Sequence, residues 1–238
     1  MSINQTSIRP LSWIKNLIVP KGRLKYRVPF GLFKGLELKL DLECQSQVYF
    51  GLWERETHSF IKKCIQRCKW LVDIGAGTGE LLAYFIKHDH AHKIIAVEPD
   101  MSVIDILNEN IKINISSNYN INNIIIINKF IGNNRCNDEI ALDSLLNKAN
   151  ERVFLKIDVD GYELNVLHSG RNIIKSGNLD ILIETHSKQL ENECIKFLST
   201  YGYKLSIIKN GWWRFALPEM RPTPHNRWIT AEGPIIKA

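Results

Sequence analysis

The run Lys69-Trp70-Leu71-Val72-Asp73-Ile74-Gly75-Ala76-Gly77-Thr78-Gly79-Glu80 places one acid and three evenly spaced glycines at the end of a short apolar stretch. A second apolar stretch, Ile94-Ile95-Ala96-Val97, ends on Glu98-Pro99-Asp100. Glycines serve where a backbone turns tightly and a ligand approaches it closely. An acid ending the second strand of such a unit can accept hydrogen bonds from both hydroxyls of a ribose. The dinucleotide fingerprint spaces its glycines differently and carries its third glycine on the helix. Asp73, just before the glycines, would repel a pyrophosphate and attract a cation. The chemistry implied is binding of a nucleoside that carries positive charge.

S-adenosylmethionine (SAM) has a sulfonium, an α-ammonium and no phosphate. The glycine run resembles motif I of the class I SAM-dependent methyltransferases, with Glu98 as the ribose acid. The implied cofactor contacts are Asp73, Gly75, Ala76, Gly77, Thr78, Gly79, Glu98, Pro99 and Asp158.

A second loaded segment is Leu155-Lys156-Ile157-Asp158-Val159-Asp160-Gly161-Tyr162-Glu163. Buried strands rarely carry a lysine. In an open α/β sheet, ligands sit beyond the carboxyl ends of the strands. Asp158 should therefore face the same mouth as Asp73 and Glu98. Lys156, two residues earlier, shares its sheet face and either neutralises nearby acids or takes part in catalysis. With Val166-Leu167, Gly170 and Ile183-Glu184-Thr185-His186, this segment resembles the signature of FkbM-type methyltransferases. Gly51-Leu52-Trp53-Glu54 is similar to that family's G-x-Y-E segment, with Trp53 in place of tyrosine, and Asp160 stands where glutamate is usual. The resemblance covers roughly residues 36–230. It implies a Rossmann-like class I methyltransferase and O-methylation of a hydroxyl on a sugar, glycan or other natural product.

Transfer to an alcohol needs in-line approach to the methyl group and removal of the hydroxyl proton. Asp158, Glu184, His186 and Lys156 are the catalytic candidates. His186 reads either as a base or as a structural hydrogen-bonder. The two carboxylates and the histidine could also hold a divalent metal, but direct contact with substrate is the favoured reading. The [DN]-P-P-[YF] motif of amine and adenine methyltransferases is absent. An RNA 2′-O-methyltransferase is one alternative. Glu184 stands where its second lysine would be expected, and the body has no basic stripe, which argues against nucleic acid as a partner. A non-catalytic SAM-binding protein is another.

The elements that must position these residues alternate strand and helix, which predicts a mostly parallel seven-stranded sheet with helices on both faces. The expected strands are 70–74, 94–98, 123–128, 153–158 and 180–185, closed by an antiparallel pair at 203–209 and 227–232. Helices are expected near 54–68, 79–88, 101–114, 138–147, 162–174 and 188–201, and a half-buried strand at Leu36–Leu42. At 238 residues and 45% apolar the chain fits one α/β domain. No membrane span or secretory leader is visible. Five cysteines without metal spacing read as reduced thiols of a cytoplasmic protein.

Charge is uneven. Residues 1–34 carry seven basic residues and no acid, while the whole chain is +6. The organisation expected is a basic extension, 1–34, followed by the methyltransferase domain, 35–238. Residues 10–19 could form an amphipathic helix, which either lies on the inner membrane surface or packs on the domain or a second subunit. The packed version is favoured because so short a helix is marginal alone. Trp212, Trp213 and Phe215, in the long loop 210–226, could face a sugar ring or anchor a homodimer.

Overall fold

The computed structural model describes residues 15–88, 93–117, 119–133, 136–211, 214 and 225–234. In chain order the elements are β1 (Arg23–Arg27), β2 (Glu37–Asp41), α1 (Leu42–Tyr49), α2 (His58–Arg67), β3 (Trp70–Ile74), α3 (Glu80–His88) and β4 (Lys93–Val97). Next come α4 (Met101–Asn114), β5 (Ile124–Ile127), β6 (Phe130–Ile131), β7 (Glu139–Ile140), α5 (Leu142–Leu146), β8 (Val153–Ile157), α6 (Glu163–Ser169) and α7 (Arg171–Lys175). β9 (Leu179–Thr185), α8 (Lys188–Ser199), β10 (Lys204–Ile208) and β11 (Arg227–Glu232) complete the chain.

Seven strands form one sheet in the order β10-β11-β9-β8-β3-β4-β5. β3, β4, β5, β8 and β9 run parallel, and β11 is antiparallel to both its neighbours. This is the Rossmann-like class I methyltransferase fold expected from the sequence, and each strand falls within about a residue of its predicted place. From β3 the chain builds outward to β4 and β5, then returns to lay β8 and β9 on the other side of β3. Crevices open where the winding reverses in this way, so the carboxyl ends of β3 and β8 are where a ligand belongs.

The parallel strands are apolar almost throughout because helices cover both faces. Leu71, Ile94, Phe154, Leu182 and Trp228 enter the core on one face. Val72, Ile74, Ile95, Leu155, Ile157 and Ile183 enter the core on the other. Alternation along a strand puts Asp73, Lys156 and Glu184 on the first face. Asp73 pairs with Lys156 in the register of β3 and β8, and Glu184 pairs with Trp228 in that of β9 and β11.

Several local expectations change. Residues 138–147 are not one helix: Glu139–Ile140 pairs with Phe130–Ile131 as a short parallel ladder, and α5 is confined to Leu142–Leu146. Residues 162–174 are broken at Gly170, where Ser169 Oγ accepts from Leu142 N at 3.2 Å. The helix expected at 54–68 begins as one 3-10 turn, Arg55–Thr57, before α2.

The segment before residue 35 contributes a strand that the sequence does not predict. β1 pairs antiparallel with β2, and Val28, Leu32 and Phe33 enter the core. Several of its basic residues have partners on the body. Lys15 donates to Leu42 O at 2.9 Å and Glu43 O at 2.6 Å, Lys21 pairs with Glu43 at 2.6 Å, and Arg23 donates to Gln45 Oε1 at 2.6 Å. Of the predicted helix at 10–19, residues 15–18 form a helical turn with Leu17 and Ile18 exposed, and 10–14 lie outside the described residues. Trp212, Trp213 and Phe215 lie outside them as well. No helix among the described residues is long and apolar enough to cross a membrane.

Candidate active site

The glycine loop links β3 to α3. Gly75 has φ +79, and a Cβ there would stand 1.9 Å from the backbone oxygen of Asp158. The loop can pass the end of β8 only without a side chain at that position. Gly77 has φ +52, and nothing lies within 4 Å of where its Cβ would be. Its free side is open space, available to a ligand.

Two amides hold Glu98. Gly77 N donates to Oε2 and Asp100 N to Oε1, each at 3.0 Å. The carboxylate is thereby fixed at the end of β4, with lone pairs left for further donors. Asp100 caps α4, accepting from Ser102 N at 2.8 Å. From α4, buried Asn110 donates to Thr78 O at 2.8 Å and accepts from Lys39 N at 2.7 Å. Asn114 exchanges two hydrogen bonds with the backbone of Glu37. One helix thus ties the glycine loop to the edge of β2. These asparagines sit in a compositionally biased stretch, which masked their role in the sequence.

Two cavities meet at Gly75 and Asp158. The larger, about 610 Å³, is lined by Glu98, Pro99, Phe130, Ile131, Asp158 and Asp160 among others. The smaller, about 260 Å³, lies behind the glycine loop and is lined by Asp73, Glu54, Lys156, Gly77, Thr78 and Trp53 among others. Every cofactor-site residue read from the sequence lines one or other cavity except Gly79, which begins the turn into α3.

Lys156 stands at the centre of the buried charge. Its Nζ is 3.2 Å from Asp158 Oδ2, 3.9 Å from Asp73 Oδ1 and 5.7 Å from the centre of the Trp228 ring. Burial alone would lower its pKa, but the carboxylates of Asp158, Glu54 and Asp73 outweigh that and raise it, so the ammonium stays charged. For Asp73 burial wins over Lys156, and with Glu54, Asp158 and Glu80 nearby its pKa is pushed up to about 7. Asp73 Oδ1 is buried and accepts no hydrogen bond within the chain. A ligand's ammonium group would satisfy it.

Glu184 and His186 lie beside Asp158, and neither lines the two cavities. His186 Nδ1 is 2.5 Å from Glu163 Oε1, which also accepts from Gly161 N at 2.9 Å. His186 Nε2 is 3.2 Å from Asp160 Oδ1, 3.8 Å from Asp158 Oδ1 and 3.9 Å from Glu184 Oε1. Burial would lower the imidazole pKa, and the Glu163 hydrogen bond with the charges of Glu163, Asp158 and Asp160 raises it instead. Asp158, Glu184 and His186 are close enough to share one ion. Of the four catalytic candidates read from the sequence, these three and Lys156 therefore form one continuous cluster.

The sequence places Glu163 and Glu54 in family-like motifs but gives neither a role in the site. Glu163 is fully buried and orients His186. Its spacing from Val166, Leu167 and Gly170 follows the buried face of a helix, a signal that could have found it. Glu54 is buried with φ +46, and Asp160 has φ +45. Left-handed backbone at non-glycine residues is uncommon, and such strain gathers at functional sites. Both residues flank the cluster.

Residues 137–205 match the methyltransferase FkbM domain family. That span contains Asp158, Asp160, Glu163, Glu184 and His186. This stretch of the chain is similar to the methyltransferase FkbM domain. A solved methyltransferase FkbM from Methylobacillus flagellatus KT shares its fold, at TM-score 0.57 and 19% identity over 69% of this chain. The chain spans 43% of the length of that FkbM protein. Precorrin-6y C5,15-methyltransferase from Geobacter metallireducens GS-15 aligns at TM-score 0.48 and 14% identity, covering 76% of this chain and 89% of its own. M. jannaschii TYW2 in complex with AdoMet aligns at TM-score 0.47 and 15% identity, covering 90% of this chain and 86% of its own. No curated protein matched the sequence.

Proposed function

We propose that the protein is a SAM-dependent O-methyltransferase acting on a hydroxyl of a sugar, glycan or other natural product. The observation that carries this reading is the placement of Glu98. Its carboxylate is fixed by two amides at the rim of the larger cavity, across from Asp158. Glu98 receives the ribose hydroxyls, and Asp73 with Glu54 receives the α-ammonium in the smaller cavity. The open side of Gly77 lets the cofactor lie against the loop.

Bound SAM supplies an electrophilic methyl group on a sulfonium. The acceptor oxygen forms the new C–O bond as the C–S bond breaks, and that electron pair goes to sulfur. The hydroxyl proton passes to the cluster of Asp158, Glu184 and His186. Lys156 holds Asp158 by Oδ2, and Glu163 fixes which imidazole nitrogen faces the acceptor. Preorganised charge of this kind lowers the barrier by stabilising the developing alkoxide's partners before reaction begins.

Calorimetry with SAM should give one site per chain. Incubation with methyl-labelled SAM and a panel of sugars should yield an acceptor 14 mass units heavier, with the label stable to alkali as an ether is and a methyl ester is not. Absence of SAM binding, with tight NAD binding in its place, would sink the reading.

A further inference from the structure

We propose that Asp158, Glu184 and His186 form a binding site for one divalent cation of the Mn²⁺ class at the carboxyl ends of β8 and β9. The sequence alone favoured direct substrate contact for these residues, and the geometry points the other way. Asp158 Oδ1 and Glu184 Oε1 lie 3.8 Å and 3.9 Å from His186 Nε2. All three residues offer ligand atoms within 4.8 Å of one another. A point equidistant from the corners of such a triangle lies roughly 2.2–2.5 Å from each, the range of Mn²⁺ and Ca²⁺ bonds to oxygen and nitrogen.

The far atoms of two of the ligands are already engaged. Lys156 holds Asp158 by Oδ2, leaving Oδ1 toward the cluster. Glu163 holds His186 by Nδ1, leaving Nε2 toward it. A buried carboxylate on the rear nitrogen of a ligating imidazole is the usual outer shell of a metal site. Asp160 Oδ1, at 3.2 Å, joins Asp158 and Glu184 around the same nitrogen, and a cation placed among these oxygens would relieve their mutual repulsion. The other His/Cys/Asp/Glu cluster among the described residues, Cys64, Cys68 and Asp180, lacks this character: Asp180 is bound by Arg67 and Arg152. The ion's use in catalysis rests on the function proposed above, where a Lewis acid beside the acceptor would acidify its hydroxyl. Its binding does not depend on that function.

The test is titration of the chelator-stripped full chain with Mn²⁺, reading free Mn²⁺ by electron paramagnetic resonance. One saturable site per chain is expected. Asp158→Asn and Glu184→Gln, each checked for native circular dichroism, should weaken it at least tenfold. Glu98→Ala, which should weaken SAM binding, should keep it. Failure of SAM binding with an intact Mn²⁺ site would thus count against the methyltransferase reading and leave the ion standing. No saturable site in the wild-type chain overturns the proposal, and so does a site that neither cluster variant alters. If both variants misfold, the wild-type isotherm decides.

Discussion

Glu98 and Asp73 are both acids at a nucleoside site, yet the fold prepares them differently. Glu98 is fixed by amides, so the ribose contacts proposed for it need no reorganisation. Glu98→Ala should weaken SAM binding by about 1–3 kcal/mol, the worth of charge-assisted hydrogen bonds, read by calorimetry. Asp73 is buried among Glu54, Asp158 and Glu80, with Lys156 its near cation, and its pKa is raised to about 7. A raised carboxylate stabilises the fold fully below its unfolded pKa, and that contribution is lost as pH climbs to about 7. A bound ammonium requires the ionised form, so SAM affinity should rise between pH 5.5 and 7, by up to about tenfold per unit. Asp73→Asn should bind more weakly and show no such rise; an unchanged pH profile in that variant would remove Asp73 from the ammonium site.

At the scale of elements, the glycine loop is held from three sides: β8 through the close approach at Gly75, β4 through Glu98, and α4 through Asn110. Two variants separate the loop's fold from its function. The Cβ of Gly77→Arg meets no neighbour, and its left-handed backbone costs about 1–2 kcal/mol. It should fold, with a modestly lower denaturation midpoint, and fail to bind SAM because the arginine fills the ligand's space. Asn110→Ala leaves Thr78 O and Lys39 N without their partner. It should lower stability by about 1–3 kcal/mol in urea, with a smaller effect on SAM affinity. The break at Gly170 and the short β6–β7 ladder belong to this scale too. Each replaces part of a predicted helix with a contact made across the chain, from Leu142 to Ser169 and from Phe130 to Glu139.

For the whole molecule, the basic segment is the open matter. Through β1, Val28 and Phe33 its second half is part of the core, and its lysines are drawn to carbonyls and acids of the body. Deleting residues 1–28 removes a strand from a two-stranded sheet and should lower the melting temperature markedly. Deleting residues 1–14 should leave melting nearly unchanged. The shorter deletion is therefore the one to use with anionic liposomes: salt-sensitive binding by the full chain that is lost in it would support membrane contact. No binding by the full chain at low salt would remove that partner.

The sequence alone determined the parallel sheet and marked the glycine loop with its acids because both are local. Strand runs such as Ile124–Ile127 are apolar over one element, and the glycines and Glu98 belong to a single strand–helix–strand unit. It also brought Asp158, Glu184 and His186 to one mouth, since acids at the carboxyl ends of neighbouring parallel strands must meet. Only the tertiary structure decided what those residues do to each other. Glu163 reaches His186 from 23 positions away, and Glu54 joins Asp73 from a different layer. β1 became a strand only because β2 offered an edge: Arg23-Leu24-Lys25-Tyr26-Arg27 is too charged to stand out as a strand, and its register partners lie ten or more residues on. Contacts of that range depend on packing, which single-sequence periodicity does not carry.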